Sequence, residues 1–151
     1  MDYDKPLLVM LLGVISTIPY EIFTRMLLSL GIGKYSVYQL SSLIVTLDRP
    51  TAIMGALITS IVAGVIAMVF YHSTKIIGSD YIVVKGLVTG LLSWVITEFV
   101  FTWQIEGPKV IQHRPVGDYY LEASGATIFG IILGLLFRWF IIPNLEKKNQ
   151  V

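Results

Sequence analysis

Hydrophobic residues fall in four long blocks along this chain, at about 7–30, 52–71, 81–103 and 119–142, with short polar connections between them. Each block reaches the ~20 residues that a helix needs to cross ~30 Å of hydrocarbon, and a helix satisfies its own backbone hydrogen bonds on the way. The pattern predicts an all-α, polytopic membrane protein with four transmembrane helices in a single domain, residues 1–151. The first connection, 31–50, is too apolar for a solvated loop. Val37, Leu40, Ile44 and Leu47 recur there at helical spacing, with Tyr35, Tyr38, Ser41 and Ser42 elsewhere on the wheel. A short helix over 35–47 is expected. At ~12 residues it cannot span, so it either lies in the interface or re-enters the bundle.

Small residues recur at four-residue spacing inside the blocks. Ala56, Ser60 and Gly64, with Ala63 and Ala67, mark the second; Gly86 and Gly90 the third; Gly130 and Gly134 the fourth. Such lines let two helix backbones approach closely, which is how helices associate where lipid is as apolar as any neighbour. These four glycines are the expected packing positions. The third connection, 104–117, carries Pro108, Pro115 and two glycines and should be irregular and wet. Asp118 reads as the N-cap of the last helix, with Glu122 adding negative charge near its start.

Composition strengthens the membrane reading. Only 14% of residues are charged, against ~25% in soluble domains, and the mean hydropathy is +0.76. The formal charge of +1 offers no basic stripe to neutralise phosphates, so nucleic acid is not an expected partner. The absence of cysteine excludes thiol catalysis and thiolate metal sites. Glu106, His113, Arg114 and Asp118 share one connection, but their spacing matches no ligand motif, and they read as solvated surface. No catalytic residue, cofactor or metal site is expected, and the protein is not expected to be an enzyme.

With four spans both termini share a side. That side collects Lys5, Lys75, Lys85, Arg138, Lys147 and Lys148, against Arg25, Lys34, Arg49, Lys109 and Arg114 on the other. The small excess of basic residues predicts a multi-pass protein of the cell membrane with both termini cytoplasmic.

Charges inside the blocks carry the chemistry. Glu21 lies ~22 Å along the first helix and Glu98 ~26 Å along the third, at 1.5 Å per residue, so both reach the outer half. Arg25 follows Glu21 by one turn in the favoured order. It can pair with Glu21 and is placed to reach Glu98. An unpaired acid at mid-span costs ~2.5–3.5 kcal/mol on insertion scales, so Glu21, Arg25 and Glu98 are expected to form one buried cluster. As a clamp, the cluster fixes the first helix to the third; as an ion site, it carries protons or cations. Glu21 and Glu98 each fall late in an outward-going helix and each precedes a long connection with an Arg-Pro, at Arg49-Pro50 and Arg114-Pro115. A parallel duplication of two helices would produce this, and so would chance.

The Gly86-x-x-x-Gly90-x-x-x-Trp94 run, Gly130-x-x-x-Gly134 and the aromatic-to-basic exit from Tyr71 to Lys75 resemble the small YqhR-like membrane proteins of Gram-positive bacteria. The resemblance covers the last two thirds of the chain and implies a bacterial membrane location and a four-helix architecture. It implies no activity. The expected role is an accessory or scaffolding four-helix bundle in contact with the lipid bilayer and with a second copy or another membrane protein; the alternative is a small transporter or channel that uses the Glu/Arg cluster.

Overall fold

A computed structural model describes residues 5–47, 49–108 and 113–143. The N-terminal acids and the basic residues Lys109, Lys147 and Lys148 of the charge comparison lie outside them. The described chain is all-helical: α1 (Lys5–Ser29), α2 (Val37–Thr46), α3 (Ala52–Ile77), α4 (Ile82–Phe101), which runs on into a π-helical turn (Thr102–Glu106), and α5 (Val116–Phe140). The four longer units are long and apolar enough to cross a membrane. α1 continues through Pro19, where the hydroxyls of Ser16 and Thr17 bond back to the Leu12 and Val14 carbonyls. α3 runs six residues past the apolar block because nothing breaks it before Gly78, whose φ of +93° closes the helix.

The long helices stand in the order α3, α1, α5, α4, each packed on the next. α1 meets α3 where Gly13 faces Ala63 and Ala67; a Cβ on Gly13 would lie 2.5 Å from the Ala63 carbonyl oxygen. α4 meets α5 through the four expected glycines. A Cβ on Gly86 would lie 2.5 Å from the Gly130 oxygen and 2.9 Å from the Gly134 Cα, and one on Gly90 would lie 2.5 Å from the Ala126 oxygen. Both lines bring backbone against backbone, the geometry that small residues permit. Val9, Leu12, Phe129 and Leu133 fill the space between them, and Phe70 packs on Phe137 at 4.8 Å between centroids.

α3 and α4 are the ends of this row and scarcely touch. A closed, duplicated bundle would press them together as α1 is pressed on α5. Instead α2 fills the gap at one end, where Leu40 and Leu43 pack with Phe101 and Ile105. The short helix predicted in the first connection is therefore half-buried among α1, α3 and the end of α4, with Val37, Leu40, Ser42 and Leu43 buried and Val45 exposed.

Candidate functional site

The buried charged groups gather at the α2 end of the bundle, in three clusters. The first is built on Glu21. Its Oε1 accepts from Arg25 Nε at 2.6 Å and from the Ser36 hydroxyl at 2.9 Å, and its Oε2 accepts the Tyr38 backbone N–H at 3.0 Å. Ser36 and Tyr38 stand at the start of α2, where four N–H groups lack an intrahelical acceptor. Val37 N–H finds the Thr24 hydroxyl, Tyr38 N–H finds Glu21, and Gln39 N–H finds the Ser36 side chain. The Gln39 side chain returns a bond to Ser36 N–H, completing a capping box. Glu21 thus caps α2 from another helix, and the helix dipole favours its charge there.

The second cluster centres on Arg114, whose side chain is fully buried. Its Nε donates to Glu106 Oε1, its NH2 pairs with Glu98, and it lies over the rings of Phe101 and Tyr119 at 4.6 and 4.8 Å. Tyr119 also donates to Glu106 Oε2 at 3.1 Å. Burial pushes the guanidinium pKa down, but the bond to Glu106 and the charge of Glu98 more than offset this, so it sits above its ordinary value. At ~100° per residue an unbroken α-helix would put Glu106 about 80° round from Glu98. The π turn takes up that excess, and both carboxylates face one guanidinium.

This relocates the predicted partner of Glu98: the structure brings Glu21 and Arg25 together but pairs Glu98 with Arg114. It also overturns the reading of the third connection. Arg114, Glu106 and Asp118 are 5%, 2% and 2% exposed, not solvated, whereas His113 is exposed as expected. Nor is Asp118 the N-cap. Pro115 holds that position, and Asp118, one turn in, accepts the Lys34 backbone N–H through Oδ1. Gly33 permits this approach, since its φ is +87° and a Cβ there would meet Asp118 and Leu121.

The third cluster was not anticipated. Glu122 is buried on α5 and accepts the Tyr20 hydroxyl on Oε2. Glu122 and Glu98 both line a cleft of about 90 Å³ between α3 and α4, together with Tyr20, Thr59, Trp94 and Thr97. Its signal was present in the sequence: Tyr20 and Glu122 are polar residues on the inner faces of two apolar blocks.

Among the described residues no buried charged side chain continues through the bundle, and the buried hydroxyls of Ser16 and Thr74 bond to carbonyls of their own helices. Beyond Thr17 the space is filled by the Gly13–Ala63 and Gly86–Gly130 backbone contacts and by Phe70 and Phe137. No family model matches the chain, nor does any curated protein or solved structure.

Proposed function

We propose that this chain is an accessory or scaffolding protein, inserted in the cell membrane through its four long helices and not an enzyme. Insertion is supported by the distribution of polarity, which is inverted relative to a water-soluble fold. Ile53, Leu57, Ile61, Val65 and Val69 form exposed apolar lines on α3, while Glu21, Glu106, Asp118 and Glu122 are buried. Trp103 and Trp139, both exposed, stand at opposite ends of the long helices, as interfacial anchors do. The YqhR-like resemblance points the same way. Both termini are placed in the cytoplasm by the basic-residue excess; a C-terminal reporter active only in the cytoplasm should be active, and activity of an exported-only reporter would reverse the orientation.

The observation that carries the scaffolding role is how the buried acids are used. Glu21 fixes α2, Asp118 fixes the segment before α2, and Glu98 and Glu106 share Arg114. These groups join one chain segment to another, which leaves a rigid surface for a second copy or another membrane protein. The transport reading has one observation in its favour, the presence of Glu98 and Glu122 in one cleft. Proteoliposomes separate the two. Proton or cation flux should match that of empty liposomes; a flux that Glu98→Gln or Glu122→Gln abolishes, with folding kept, would replace scaffold with transporter.

A further inference from the structure

The cleft between α3 and α4 is lined in part by polar side chains whose hydrogen bonding the fold leaves incomplete. Its apolar walls include Ile58, Val62 and Ile66 of α3 and Phe129 of α5. Val62 and Thr97, one on each helix, are exposed at its rim, so it opens sideways through the wall of the bundle. Two polar atoms of lining residues are buried and have no hydrogen-bond partner: Trp94 Nε1 and Glu122 Oε1. Glu122 itself is only 3% exposed. In a membrane, orphaned groups of this kind cost several kcal/mol each, because no bulk water reaches them. One is a donor and the other, as a carboxylate oxygen, an acceptor.

We propose that this cleft binds the hydroxyl end of a neutral, single-chain amphiphile taken from the surrounding bilayer. A hydroxyl accepts from an indole N–H and donates to a carboxylate, so it suits both orphaned atoms. The volume of about 90 Å³ admits several water-sized groups, which is a polar tip and the first carbons of one chain rather than a phospholipid headgroup. The remaining chain leaves between Val62 and Thr97 toward lipid. Charge sets the preference for a neutral ligand. Two carboxyl-bearing residues, Glu98 and Glu122, line the cleft and no basic side chain does, so a phosphate or fatty carboxylate would lose its hydration there without finding a counter-ion.

The site rests on membrane insertion, and its test separates the two. The full chain in phosphatidylcholine nanodiscs is photolabelled with a diazirine analogue of a long-chain alcohol, in competition with octadecanol, stearate or phosphatidylglycerol. Labelling should saturate, map to α3 or α4, and be competed by octadecanol at concentrations at least tenfold below those of the two anionic lipids. Val62→Trp, which fills the mouth, should cut labelling at least tenfold. Leu57→Trp, on the outward face of α3, should leave it unchanged. Trp94→Phe removes one hydrogen bond and should weaken octadecanol competition about three- to tenfold. It decides the matter if Val62→Trp lowers the melting temperature. Equal labelling of the Val62 and Leu57 variants, equal competition by stearate, or no saturable labelling would each overturn the assignment. Carbonate extraction of the same membranes addresses insertion: a resistant protein that fails to label loses the cleft proposal alone, whereas a released protein loses both.

Discussion

Arg114→Leu should be the most damaging single charge change in the chain, lowering stability by about 3–5 kcal/mol, because it strands Glu98 and Glu106 without their counter-ion. The cost comes from what remains. A carboxylate that is 2% exposed cannot hydrate, and His113, 3.8 Å away, offsets its charge only when protonated. Replacing both acids as well, in Glu98→Gln/Glu106→Gln/Arg114→Leu, should recover most of the loss, since no charge is then left unpaired. Arg25→Leu should cost under about 1 kcal/mol. The Arg25 side chain is 55% exposed, and Glu21 keeps Ser36 and the Tyr38 N–H when it goes. Melting temperatures of the purified variants in one detergent would check the order. If Arg25→Leu proved the worse, the clamp would lie at Glu21 after all.

The second large effect belongs to the glycine seam. Gly90→Leu should separate α4 from α5 and cost upwards of about 3 kcal/mol, because the new Cβ meets the Ala126 carbonyl oxygen and the Gly130 Cα, neither of which can rotate away. Even Gly90→Ala should be clearly destabilising. Leu92→Ala should be tolerated, since Leu92 is 58% exposed and truncating it opens no cavity. Equal yield and equal detergent stability of the Gly90→Leu and Leu92→Ala proteins would show that α4 and α5 do not meet along this line.

What was legible in the sequence was whatever a helix writes into its own period. The four long helices, the short helix after α1 and the glycine seam all follow from residues three to seven apart, and Glu21 with Arg25 is one turn of one helix. Partners brought together by tertiary structure were not legible. Glu98 pairs with Arg114 across a connection, and a π turn, which no pattern of apolar residues announces, sets the angle at which Glu106 joins them. Asp118 had the residue type and the place of a cap; Pro115 occupies that position instead, and Asp118 serves a different segment. The Tyr20–Glu122 bond spans 102 positions, and each residue alone reads as a polar exception within an apolar block. One sequence-level constraint does reach this far. In a chain with 14% charged residues, a single Arg following two acids is a better counter-ion than a solvated loop residue.

The Arg114 pairing also bears on the order in which the chain can enter a bilayer. Glu98 is synthesised 16 residues before its guanidinium. An unneutralised acid adds up to ~2.5–3.5 kcal/mol to the transfer of its span. α1 meets no such delay, because Arg25 follows Glu21 within a single turn. The energetically cheap route is therefore for α1 to partition as soon as it is made, and for α4 to wait at the translocon until α5 emerges and the two move into lipid together as a hairpin, already neutralised and with their glycine faces matched.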